Sequence, residues 1–120
     1  MLTLLKNLPD NTVGVAASGQ VIAADYETVL IPAVEAAIGR HGKVRFLYEL
    51  GRDFKGFAAD AMWQDMKVGI AHFREWEKVA MVTDVGWVAH AVGMFQFVMP
   101  CPVKVFALKD EAEARAWIAG

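Results

Sequence analysis

Strand-length apolar runs alternate with helical runs along most of this chain, and that alternation decides how its sheet can be built. Residues 44–50, 78–83 and 103–108 are rich in β-branched and aromatic side chains. Helical periodicity fills the intervals, at about residues 58–75 and 85–99. A last helix opens at Asp110, with Glu113 three residues on as a capping box. Strands separated in this way pair in parallel through right-handed crossovers. Two earlier runs, 2–5 and 12–17, flank the turn-forming Asn7-Leu8-Pro9-Asp10-Asn11 and read as a hairpin. Asp25 is placed to cap the first helix, where Tyr26, Val29, Leu30, Val34, Ala37 and Ile38 recur at helical spacing. Pro32 should kink that helix or make its first turn irregular, and Gly39 and Gly42 close it. Residues 51–56 read as a loop. The expected fold is α/β: a mostly parallel sheet of four or five strands with an N-terminal hairpin and four helices, ordered ββαβαβαβα. No repeat, linker or low-complexity tract divides residues 1–120, so they read as one domain.

Charge removes several classes of function. The net charge is −2 with no basic block, so nucleic acid finds no electrostatic footprint and anionic lipid no polybasic anchor. Cys101 is the one cysteine, so no intrachain disulfide can form. The apolar start, Met1-Leu2-Thr3-Leu4-Leu5-Lys6, is too short for a signal peptide. Both features fit the expectation of a cytoplasmic chain, in which any membrane association would run through apolar surface. Residues 85–103 carry no charge and nearly reach spanning length, but Pro100 and Pro102 would end a helix early.

Two helices carry most of the functional information. In the one at 58–75, Ala58, Met62, Met66, Gly69, Ile70 and Phe73 share a face, with Trp63 at its edge. Asp65 and His72, seven apart, stack beside that stripe as a polar edge, with Lys67 nearby. The helix at 85–99 is apolar nearly all round. Trp87, Ala91, Met94 and Val98 line one side, Val88, Val92, Phe95 and Met99 the next, and Phe97 points elsewhere. A helix resting on a sheet needs an apolar stripe of only about 100°. This one is either covered by its own neighbours or turned toward a second subunit, a membrane surface or a lipid-like ligand.

Catalytic chemistry is hard to find. Ser18 is the only serine and lacks a nucleophile-elbow setting. Cys101 sits in a stiff Pro-Cys-Pro loop with no acid or base beside it, and reads as an idle, packed thiol. His41, His72 and His90 lack metal-ligand spacing, so no metal or other cofactor is expected. Gly51-Arg52-Asp53-Phe54-Lys55-Gly56 has the glycine spacing of a phosphate loop, but Phe57 and Ala58 stand where Lys and Ser/Thr must follow. Glu49 and Asp84 fall near strand C-termini, where α/β folds bind ligands.

Three segments resemble the SpoIIAA-like branch of the STAS superfamily. The first is Asp25-Tyr26-Glu27 leading to Leu30-Ile31-Pro32-Ala33-Val34-Glu35. The second is Trp63-Gln64-Asp65-Met66-Lys67-Val68-Gly69, then His72, then Lys78-Val79-Ala80-Met81-Val82-Thr83-Asp84 and Trp87. The third is Val103-Lys104-Val105-Phe106, with Glu111 and Ala112 ahead of Ala116-Trp117-Ile118. The resemblance implies a STAS-like fold, similar in layout to lipid-binding CRAL-TRIO domains, with no enzymatic activity and with apolar-ligand or membrane roles. Anti-sigma antagonists of this superfamily are switched by phosphorylation of a serine in a loop at the start of a helix. The corresponding residues here, 50–57, contain no Ser or Thr, so that mechanism does not carry over.

The leading expectation is a non-enzymatic binding domain for a lipid-like or other apolar small molecule, lined by Trp63, Met66, Ile70, Trp87, Val88, Met94 and Phe95. The alternative is a homodimeric interaction module, with the uncharged helix in an interface above about 1,000 Å². An enzyme would require Asp65, Lys67 and His72 to converge in a cleft.

Overall fold

A computed structural model describes residues 1–120. Five strands form one sheet in the order β1-β2-β3-β4-β5: Leu2–Leu4, Thr12–Val21, Val44–Phe57, Trp76–Val82 and Val103–Phe106. β1 pairs antiparallel with β2, as the hairpin reading expects, and the remaining three pairings are parallel. The helices are α1 (Ala23–Asp25), a π-helical turn (Tyr26–Leu30), α2 (Ile31–His41), α3 (Ala59–Ala71), α4 (Gly86–Phe95) and α5 (Glu111–Ala119).

Strand order explains the layering. Each parallel strand is the immediate neighbour of the one before it, so right-handed crossovers put α2, α3 and α4 on the same face. Val34 and Ala37 of α2, Ala61 and Val68 of α3, and Val88 of α4 share one core cluster with Val15, Phe46 and Tyr48. The opposite face belongs to α5, whose Ala114 and Ile118 pack on Leu47, Ala80, Val82 and Phe106. Arg45 and Lys78 fasten this helix by donating to the carbonyls of Ile118 (2.8 Å) and Trp117 (2.7 Å). Leu5 and Leu8 fold over the rest of that face. Gly14 permits this approach, because a Cβ there would lie 2.4 Å from Leu8 Cδ1.

The helical face is crowded. Neighbouring strands lie about 4.8 Å apart, so positions over the first and third parallel gaps are separated by about 10 Å. Packed helices need 8–10 Å between axes. Two helices therefore fill the space, and the middle one, α3, has little room to press on the sheet. It buries Ala61 and Val68 alone. The stripe Met62, Met66 and Ile70, which its hydrophobicity marks as core-facing, points outward instead.

Three local features differ from the sequence reading, and a fourth, the irregular turn ahead of Pro32, agrees with it. Residues 51–56 are strand, because β2 continues to Val21 and pairs with β3 as far as Phe57, with register shifts around Gly19. Asp25 is not the cap residue. It lies in the first turn and accepts from the Ile22 amide at 2.9 Å. Pro32 is accommodated by the π turn ahead of it, where Ile31 N–H reaches back to Tyr26 O. Asp110 starts α5 without a side-chain cap, so no capping box forms there.

Candidate functional site

Tyr26 and Tyr48 place polar atoms deep in the apolar helical face. Tyr26 comes from the π turn and Tyr48 from β3, and both are buried. A buried phenol needs a partner for its hydroxyl. Here the two oxygens are 3.0 Å apart, and Tyr26 Oη donates to Asp65 Oδ1 at 2.8 Å. Asp65 shares the inward stripe of α3 with Ala61 and Val68, by spacing of four and three. Burial pushes both phenols far above their ordinary range, and the Asp65 charge adds to this for each. Burial also raises the Asp65 carboxyl, while the Tyr26 hydrogen bond opposes the rise. The residue stays open to solvent, which limits how far that carboxyl can climb.

Tyr48 also belongs to a ladder of edge-on and tilted aromatic rings. Trp76, Phe46, Tyr48, Phe57 and Trp87 follow one another with centroid separations of 5.4–6.3 Å. The ladder runs from the buried start of β4 to the exposed first turn of α4. Trp76 also ties in the last turn of α3, donating from Nε1 to Gly69 O at 3.2 Å. α3 and α4 touch each other sparsely. What joins them is this floor of Tyr26, Tyr48 and Phe57.

Above the floor the side chains face outward. Trp63, Met66, Ile70, Trp87, Met94 and Phe95 are 54–70% exposed, and Phe97 reaches 84%. Val88 is the exception among the expected lining residues, being part of the core. The reading in which the uncharged helix is covered by its own neighbours is therefore overturned. α4 ends four residues before its apolar run does, and Phe97 and Val98 follow it as exposed turn. Two shallow hollows mark the surface: one lies beside β1 and α2, lined in part by Leu5, Val13 and Arg40, and one at the end of α3 around Ile70 and Phe73.

The polar residues do not assemble a catalytic group. Asp65 bonds to Tyr26, and neither Lys67 nor His72 joins it through a side-chain hydrogen bond. His72 ends α3 with its backbone. Asp84 Oδ1 accepts from the Leu108 amide at 3.0 Å, a structural use that ties β4 to the turn before α5. Glu49 lies on the α5 side, where burial and then Glu111 raise its carboxyl against the pull of Arg115. Cys101 is half-buried against the core, and burial pushes its thiol up.

The model of the SpoIIAA-like family matches residues 12–119. The chain belongs to the SpoIIAA-like family. A solved structure shows the same fold: an uncharacterized protein of the DUF3478 family, with a SpoIIAA-like fold, from Shewanella loihica PV-4. The two are 22% identical, the match covers 98% of this chain and 92% of that one, and the TM-score is 0.76. A comparison with curated proteins finds no match. The SpoIIAA-like assignment accounts for the five-stranded, mostly parallel sheet with its N-terminal hairpin. No helix is long and apolar enough to cross a membrane.

Of the groups on this SpoIIAA-like surface, Tyr26, Tyr48 and Phe57 were absent from the sequence-based site. The available signal was chemical: two tyrosines within apolar core patterns, each needing a hydrogen-bond partner.

Proposed function

We propose that this chain is a non-enzymatic SpoIIAA-like binding domain whose working surface is the outward apolar side of α3 and α4. One observation carries the reading. Ten of the thirteen exposed large apolar side chains fall between Met62 and Val98. Five are aromatic, and at roughly 200 Å² per ring they alone offer on the order of 600 Å². Spread over α3, α4 and the turn after it, this is an unusually large apolar exposure for a small domain, before the methionines, Ile70 and Val98 are added. The occupant is a lipid-like or other apolar small molecule laid across the two helices, over the Tyr48–Phe57 floor. The same surface gives a route to peripheral membrane contact.

Native mass spectrometry of the purified protein, followed by solvent extraction, tests this. An apolar molecule released from a monomer supports the reading. A ligand-free dimer contradicts it and favours a second copy of the chain as the occupant. That second reading draws on the same area, which approaches the roughly 800 Å² per partner of a standard interface.

A further inference from the structure

The polar end of this surface restricts the kind of molecule it can take. Tyr26 has one hydroxyl proton, and it goes to Asp65 Oδ1. The contact between Tyr26 and Tyr48 must then be donated by Tyr48. Both phenol protons are spent, and the network ends at Asp65, whose second carboxylate oxygen takes no hydrogen bond from the protein. With Asp65 ionised, what remains for a ligand is acceptors only.

Carboxylates gather around the network. The ionised groups acting on the two tyrosines are Asp65 and Asp25, and no basic side chain acts on either tyrosine or on Asp65. Asp25 is already engaged, accepting from the Ile22 amide and pairing with the Met1 ammonium at 3.6 Å. Glu27, on the π turn, accepts from Gln64 Nε2 at 3.1 Å, which brings another carboxylate to the α3 side. Asp60 starts α3. Lys67 is two residues beyond Asp65, about 200° around the helix.

Resting on the binding reading above, we propose that the surface takes an amphiphile with a protonated amine head, its ammonium on Asp65 and its apolar part across α3 and α4. An ammonium brings three donors and no acceptor, the complement of what the network leaves open. Its charge is matched by the carboxylate. A fatty-acid carboxylate or a phosphate head would meet acceptors and like charge.

The test is a titration of the full chain at pH 7 with dodecylamine, dodecanol and dodecanoate, each below its micelle concentration, followed by tryptophan fluorescence. The amine should bind roughly tenfold or more tightly than the alcohol, and the carboxylate more weakly than the alcohol. Asp65→Asn should bring the amine down to the alcohol's affinity and leave the alcohol unchanged. Asp60→Asn, which removes an equal charge outside the network, should leave the amine preference intact. Should Asp65→Asn fail to fold, the ranking of the three probes on the unaltered chain still decides. Dodecanoate binding as well as dodecylamine overturns the amine proposal, as does an equal loss in Asp60→Asn. Binding of all three with one affinity overturns it and leaves the apolar surface standing. Binding of none overturns both.

Discussion

Tyr26 is fully buried, yet its hydroxyl reaches a carboxylate 39 residues away, donating to Asp65 across 2.8 Å. That bond ties α3 to the π turn at the point where crowding leaves the helix only Ala61 and Val68 to bury. Replacing Tyr26 with Phe removes the bond and strands the Tyr48 hydroxyl. A buried donor left without an acceptor costs about 1–3 kcal/mol. Tyr48→Phe should cost less, about 1 kcal/mol, because Tyr26 keeps its bond to Asp65. Urea denaturation of the two variants checks the order. A larger loss for Tyr48→Phe would reverse the donor direction assigned to the pair.

The Asp65 carboxyl gives a pH dependence of definite sign. Burial raises it above its unfolded value, so the folded state binds the proton more tightly. The resulting penalty is absent below the unfolded carboxyl range, near pH 4, and complete once pH exceeds the folded value. Asparagine can still accept from Tyr26 but carries no charge. Asp65→Asn should therefore gain stability relative to the parent chain as pH rises from 4 to 7. A difference that is flat across this window would show that the carboxyl is not raised.

α4 separates core from surface within one helix. Val88 is buried among sheet residues, and Val88→Ala should cost about 1–3 kcal/mol. Phe97 touches solvent over most of its area, and Phe97→Ser should change stability by no more than about 0.5 kcal/mol. Thermal melts of the two distinguish this arrangement from a helix enclosed on all sides, in which both substitutions would be costly.

α5 is held at its C-terminal end by side chains of the sheet. Arg45 bonds Ile118 O and also pairs with Glu77, whose carboxyl it holds below the usual range. Cations on the last carbonyls of a helix contribute up to about 2 kcal/mol when partly buried. Arg45→Gln should cost about 1–2 kcal/mol. It should also speed amide exchange near Gly120 far more than in α2. Equal acceleration in both helices would mean that the loss is global.

The layout was legible in the sequence because each strand announces itself. Runs such as Val44-Arg45-Phe46-Leu47-Tyr48 and Val79-Ala80-Met81-Val82 have the composition of buried parallel strands, and the helices between them leave one way to join them. That α4 has more apolar surface than one sheet face can cover was legible too, but not whether its own neighbours supply the rest. Two things were hidden. Residues 51–56 look like a loop because Gly51, Arg52, Asp53 and Gly56 are poor strand formers, and only pairing with Gly19, Gln20 and Val21 makes them strand. The inward side of α3 could not be found by periodicity, which selects the most apolar stripe. Competition for space among three helices on one face turned the small residues inward and left Met62, Met66 and Ile70 outside. The Tyr26–Tyr48–Asp65 network was invisible for a related reason: it depends on side chains brought together by tertiary packing rather than on local spacing.

The most direct test is amide chemical-shift mapping of the ¹⁵N-labelled chain during titration with dodecanol. If the outward side of α3 and α4 is the binding surface, the shifts will cluster at residues 62–73 and 87–98, with Phe57 responding beneath them. Shifts centred on the hollow beside Val13 and Arg40, or none at saturating dodecanol, would contradict it.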